Sequence, residues 1–437
     1  MKFTRIAIVA AFALVSGRAY AFHAGGVAQC EGCHTMHNST TAATGTASTV
    51  MGNNPTIGQA SKYLLQGQDP SSTCLICHGR AGVSSYHVYE PSLVTATTST
   101  FAATMVNFTP GGDFGWQANT GFNQGGKTKR FGHSVLAAAY AGMTSDSRAA
   151  APAGDVAGVY DGAAFSCISC HDPHSKARMS ADGTIINTGL PIAESGSYPV
   201  GGALPAGTAM GAYRLLAGVG YQPKSSPTQP AFAVNPPVAV APSSYNANEA
   251  ATFNAATRGG QVVVAYGNGM SEWCATCHPG MHNNTNTSGS IFKHPAGDTA
   301  TMSATVAGNY NSYVKSGDLT GTNAYDAIVP FEQHTDRATL ETKAVGVAGT
   351  PAINAVAGTS GVMCLSCHRA HASPYEFALR WADKEFIIEN GEYYGFEAAA
   401  RGEWRTSAII QAGHQNRPAT AYATFQKSLC NKCHAKD

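Results

Sequence analysis

Twelve cysteines stand in six pairs: Cys30/Cys33, Cys74/Cys77, Cys167/Cys170, Cys274/Cys277, Cys364/Cys367 and Cys430/Cys433. Each pair has C-x-x-C spacing and is followed at once by a histidine: His34, His78, His171, His278, His368 and His434. No cysteine is left over. C-x-x-C-H is the attachment signature of c-type haem. The two thiols form thioethers to the vinyl groups of one porphyrin, and the two-residue gap lets both reach the same edge. The next residue then lies under the iron, as its proximal ligand. A disulfide framework or a set of zinc sites would use the paired cysteines but has no need of the histidines. With 16 His among 437 residues, chance placement after all six pairs has odds on the order of 10⁻⁹. Six covalently attached haem c groups are therefore expected.

Each iron needs a second axial ligand. Ten histidines remain for six positions, so bis-histidine ligation is expected throughout, although a methionine among the 11 present is the competing ligand and would raise the potential. The expected distal ligands are His37, His87, His133, His174, His294 and His371, with His23 and His282 as alternatives. His37, His174 and His371 each complete a C-x-x-C-H-x-x-H run. If the segment after the pair is helical, residues three apart share a face. The second histidine then stays on the proximal side of its own haem and is better placed to ligate a different one. His133 follows Phe131-Gly132, and His294 precedes Pro295. His334 and His414 read as surface histidines.

The elements that must hold these groups are hard to find in the sequence. Charged residues are 12% of the chain, about half the usual share. There are 48 Gly and 21 Pro, and periodic apolar stretches are scarce. The fold expected is a multihaem cytochrome c: mostly coil with short α-helices and very little β, its core formed by stacked haems. Helices are expected after the C-x-x-C-H sites, over 130–143 and over 375–389, and 223–242 reads as an extended loop. The spacing of the motifs is irregular, with no fixed repeat. They reach both ends of the chain, so 22–437 reads as one hexahaem domain.

Residues 1–21 read as a secretory signal. Lys2 and Arg5 precede an apolar run over 6–15 that is too short to span a bilayer, and Ala19-Tyr20-Ala21 precedes the cut. No later segment is apolar for long enough to cross a membrane. Export removes Lys2, Arg5 and Arg18 from a formal charge of +1. Twelve propionates against six ferric centres then leave a holoprotein of about −8, which argues against a nucleic-acid partner. Many Lys and Arg are expected to face propionates, because buried carboxylates need donors.

Phe22-His23-Ala24-Gly25-Gly26-Val27, running into Cys30-Glu31-Gly32-Cys33-His34-Thr35-Met36-His37, resembles the mature start of the OmcS-type cytochromes, the outer-surface hexahaem cytochromes of metal-reducing bacteria. Further likenesses follow in order at 109–116, 188–192, 221–224, 270–273, 316–321, 364–373 and 429–437. The stretches 40–58 and 374–424 depart from that pattern. The resemblance implies a bis-His haem chain in a homopolymeric filament on the outer cell surface. Such a filament carries electrons to extracellular acceptors and exchanges them with other multihaem cytochromes. It also implies that His37 ligates the haem at Cys364/Cys367 of a neighbouring protomer. Two other functions compete: a multihaem reductase and a monomeric periplasmic shuttle. Multihaem nitrite reductases typically replace one motif histidine with lysine, which no site here does. No catalytic residue is expected.

Overall fold

With few periodic apolar stretches, the regular elements stay short. The computed structural model describes residues 30–34, 62–79, 87–102, 109–120, 131–146, 162–187, 189–200, 202–241, 264–282, 294–314, 317–320, 329–345, 355–380, 387–398, 403–414, 418–421, 424–426 and 429–435. The expected signal segment, His23 and His37 lie outside them. The helices described are α1 (Cys30–Cys33), α2 (Pro70–His78), α3 (Gly115–Ala118), α4 (Met270–Cys274), α5 (Ala304–Ser312), α6 (Arg337–Val345), α7 (Cys364–Cys367), α8 (Ser407–Gly413) and α9 (Leu429–His434). None of them is long and apolar enough to cross a membrane.

The helices mostly cover the attachment motifs rather than follow them, which corrects the sequence expectation except at Cys274/Cys277, where a short 3-10 turn, Pro279–Met281, comes directly after His278. After the motif the backbone amides turn to other segments. Asp172 N–H donates to Leu215 C=O at 2.8 Å and Arg369 N–H to Ala378 C=O at 2.7 Å, so no second helical turn forms. The helix expected over 130–143 is also absent, despite its alanines. His133 N–H donates to His371 C=O at 3.0 Å, Leu136 N–H to Phe165 C=O at 2.9 Å and Ala138 N–H to Asp69 Oδ2 at 2.8 Å. Tertiary partners thus take the donors that a helix would use, and local propensity yields. Of the helix expected over 375–389, residues 381–386 lie outside the described ones, and those described form a tight turn, Glu376–Ala378, and a short strand, Ile388–Glu389. Phe377 and Ala378 both have positive φ, which a right-handed helix excludes.

Among the described residues strands are few, as expected. The one four-stranded sheet joins β1 (Ala177–Met179), β2 (Ile185–Asn187), β3 (Ile192–Glu194) and β4 (Ala209–Gly211) in the order β2-β1-β4-β3, and only β3 and β4 run parallel. The apolar interior is divided. One cluster gathers Tyr310, Phe331, Leu340, Ile388 and Ile410 beside Cys367 and Cys433. A second gathers Tyr213, Phe232, Trp273 and Met363 beside Cys170 and Cys274. A third gathers Leu75, Tyr89, Phe114 and Phe165 beside Cys167 and Cys170. Side chains thus pack around the attachment cysteines instead of filling one common centre.

Buried arginines hold the coil between these clusters. Arg337, 1% exposed, donates from both terminal nitrogens, to Gly196 C=O at 3.1 Å and Tyr198 C=O at 2.5 Å. Arg369 donates to Pro110 C=O and Arg405 to Pro374 C=O, each at 2.7 Å. Guanidinium groups expected to face porphyrin carboxylates therefore spend donors on backbone that no ladder satisfies. Arg337→Ala strands two buried carbonyls and the Glu341 carboxylate that Nε meets at 3.2 Å. A loss of about 2–4 kcal/mol in stability is expected, read as a lower denaturant midpoint of the holoprotein.

Candidate haem-iron sites

A single helical turn builds each motif. The histidine N–H closes it onto the first cysteine's C=O: His34 to Cys30 at 2.8 Å, His171 to Cys167 at 3.0 Å, His278 to Cys274 at 3.1 Å and His368 to Cys364 at 3.0 Å. Positions i, i+3 and i+4 share a helix face, so both thiols and the imidazole point the same way. None of the twelve cysteines is disulfide-bonded.

The imidazoles are oriented by backbone. Nδ1 of His34 lies 3.0 Å from Tyr63 C=O, that of His171 2.8 Å from Arg214 C=O and that of His368 2.7 Å from Phe377 C=O. His133 makes the same contact with Ala370 C=O and His294 with Pro295 C=O, each at 2.7 Å. A carbonyl only accepts, so Nδ1 carries the proton and Nε2 keeps its lone pair for a metal.

Four pairs of rings then face each other from different parts of the chain. His34 and His174 have ring centres 5.9 Å apart, His171 and His371 6.4 Å, His133 and His278 6.2 Å, and His294 and His434 6.3 Å. Two metal–imidazole bonds of about 2 Å, plus the distance from nitrogen to ring centre on each side, span roughly 6 Å. The gaps therefore fit an iron held between two imidazoles. His174 and His371 face other motifs, not the ones they follow.

The motifs touch in chain order. Burial and then the nearby Cys77 raise the Cys33 thiol. The Cys74 thiol donates a hydrogen bond to Cys167, raising the first and lowering the second. Burial and then Cys277 raise Cys170. Cys274 donates to Cys364, which falls to about 7. Burial, then Cys430 and Cys433, push Cys367 up to about 12. Numbering the motifs one to six along the chain, each thus adjoins the next.

Two recurring devices make this arrangement, and neither was legible as a repeat. At the even-to-odd junctions a serine three residues before the first cysteine accepts from the next motif. Ser71 Oγ receives Cys167 N–H at 3.0 Å, and Ser271 Oγ receives Cys364 N–H at 3.1 Å. At the odd motifs the carbonyl that receives Nδ1 belongs to the first of two successive left-handed residues. These are Tyr63-Leu64, Arg214-Leu215 and Phe377-Ala378. Each is followed by a leucine, Leu65, Leu216 or Leu379, that bridges to the motif histidine. Two adjacent non-glycine residues at positive φ are strained, and their return in all three places marks them as parts of the site.

Four other histidines have surroundings of their own. His87 is 3% exposed, and its neighbour Val88 donates to His78 C=O at 2.9 Å. His282 turns Nε2 to Glu272 Oε1 at 3.1 Å rather than to another histidine. His414 is no surface residue: it is buried, between the rings of Tyr375 and Tyr393, on the apolar side of α8. His334 is only half-buried. Its Nδ1 lies 2.7 Å from Thr359 C=O, and its Nε2 is buried without a hydrogen-bond partner.

Burial lowers the pKa of His171 and His368, and that of His371 to about 3. These imidazoles stay neutral in the folded chain while the unfolded chain takes up protons below pH 6.5. Stability is therefore full above about pH 6.5 and declines as pH falls towards about 3. Acid titration followed at the low-spin Soret band is expected to show ligand loss within that window and none above it.

No family model matches the chain. The C-type cytochrome OmcS of Geobacter sulfurreducens is 42% identical over 455 aligned positions, covering 100% of this chain and 99% of that protein. This chain belongs to the OmcS family of c-type cytochromes. Two solved structures from the same organism, OmcS nanowires determined by cryo-EM and the Outer Membrane Cytochrome S filament, match with TM-score 0.75 and 41% identity. Each comparison covers 95% of this chain and 100% of the other. An OmcS-family chain is a hexahaem c-type cytochrome, and the coil-rich fold matches that of the filament structures.

Proposed function

We propose that this protein is exported, carries six bis-histidine haems in a continuous line and polymerises with its own copies on the outer cell surface. There it delivers electrons to extracellular acceptors such as metal oxides. Haem supplies a one-electron couple at each site. The chain's own residues set the order of the line, clamp each imidazole pair and keep the pairs in a buried, low-dielectric interior.

One observation carries the assembly. The histidine that ends motif three, His174, faces motif one, and the histidine that ends motif five, His371, faces motif three. Each reaches back two motifs. The same step from motif one leads His37 out of the chain, to motif five of another copy. Among the described residues no histidine ring faces His368, which leaves room there for a ligand supplied by a neighbour. A chain that gives at one end and receives near the other builds an open filament. The relatives whose structures are solved are nanowires and filaments, which supports this reading over a monomeric shuttle or a reductase.

The even motifs are served by a step of the same size in the opposite direction, two motifs forward. His133, after motif two, faces motif four, and His294, after motif four, faces motif six. Applied to motif two, it selects His23, ahead of motif one, over His87. His23→Ala is expected to turn one of the six haems high-spin, whereas His87→Ala leaves all six low-spin. Electron paramagnetic resonance of the oxidised protein distinguishes these, and the reverse pattern would restore His87. Cryo-electron microscopy of sheared cell-surface material tests the proposal as a whole. Absence of a polymer of this chain, or an iron with an open sixth position at every motif five, would overturn it.

A further inference from the structure

Beside the junction of motifs four and five lies a group of side chains that the haem line does not use. The ligand atoms of Asp298, Glu332 and His334 all lie within 4.8 Å of one another. Glu332 is fully buried. Its Oε1 accepts Met270 N–H, the first amide of α4, at 2.9 Å. Its Oε2 has no hydrogen-bond partner and lies 3.8 Å from His334 Nε2, itself buried and without a partner. The proton on His334 sits on Nδ1, against Thr359 C=O, so Nε2 presents a lone pair towards Glu332 Oε2, too far for a hydrogen bond. A third carboxylate adjoins the group: Glu272 Oε1 accepts Asp298 N–H at 2.9 Å and meets His282 Nε2 at 3.1 Å, and its Oε2 is buried without a partner.

Two carboxylates and an imidazole brought together, with a buried carboxylate oxygen and an imidazole nitrogen both unpartnered, form an arrangement that hydrogen bonding leaves incomplete. A cation completes it. An all-oxygen set would suit calcium or magnesium, but the imidazole shifts preference to a first-row divalent ion. We propose that Asp298, Glu332 and His334 bind a divalent cation of the manganese or zinc class, with Glu272 neutralising it from α4. The ion would pin three segments together: α4, which leads into motif four; the 294–300 loop; and the strand-like pairing of Glu332 with Gly361, three residues ahead of Cys364. It would also place a fixed positive charge beside two neighbouring haems. The inference requires only that His334 is not itself an iron ligand.

The test uses intact holoprotein, stripped with a chelator and then given Mn²⁺ or Zn²⁺. Metal analysis after gel filtration is expected to find one Mn²⁺ or Zn²⁺ for every six haem irons. In dithionite-reduced protein, where ferrous bis-His haems are diamagnetic, bound Mn²⁺ should give an immobilised resonance signal. Glu332→Gln and Asp298→Asn should each weaken binding at least tenfold while haem content and the low-spin spectrum stay unchanged. Uptake that is absent, or equal in wild type and both variants, overturns the site. So does a high-spin haem in His334→Ala, which would assign that histidine to iron.

Discussion

Replacing His37 with alanine is expected to leave six covalently bound haems and no filaments. Attachment depends on the paired cysteines, which the substitution does not touch, so haem content is unchanged. What is lost is the imidazole that reaches two motifs back, for which the chain itself has no target. Each junction then loses a metal–ligand bond. Every 1.4 kcal/mol is a factor of ten in association, so even a loss of about 3 kcal/mol per junction raises the concentration needed for assembly more than a hundredfold. Negative-stain microscopy should show only short particles, and one haem in six should become high-spin. His174→Ala is the control: its partner motif lies in the same chain, so filaments persist while one centre turns high-spin. Filaments of normal length from the His37 variant would place the junction elsewhere.

The chemistry of this chain stands openly in its sequence, and its architecture does not. Six C-x-x-C-H motifs declare themselves because the one-turn geometry that presents two thiols and an imidazole on one face is local. The partners of those motifs are another matter. His133 meets His278 across a distance in sequence that no local pattern encodes. Ten unattached histidines look alike until their Nδ1 protons find carbonyls. His414 ran against its surface reading for this reason, since a lone histidine in a polar stretch carries no sign of burial. The recurring left-handed turn escaped because its carbonyl lies 29, 43 and 9 residues from its histidine. The three copies share a shape but no period. The helix expected over 130–143 failed from the opposite cause: its alanines state a preference that tertiary acceptors override.

His371→Ala tests the middle of the line as His37→Ala tests its end. His371 is a junction in its own right. Its N–H donates to Gly111 C=O at 2.7 Å, its C=O receives His133 N–H at 3.0 Å, and its ring stacks on Phe114 at 4.6 Å while facing His171. A Cβ on Gly111 would stand 2.8 Å from that ring, so the backbone there is shaped to the imidazole. Alanine keeps the backbone bonds and removes the ring. Filaments should still form, because His37 is intact, and six haems should remain attached. One centre inside every protomer loses its axial ligand and moves to higher potential. For a one-electron couple 59 mV is tenfold, so a displacement of about 120 mV slows passage through that point roughly a hundredfold. Conductance of single filaments between electrodes is expected to fall by about that factor, with a high-spin signal from one haem in six. Free imidazole in the buffer should restore both, since it refills the cavity with the group removed. Conductance that stays at the wild-type value while the high-spin signal is present would mean that electrons bypass motif three. In that case the touching thiols of successive motifs would not trace the route the electrons take.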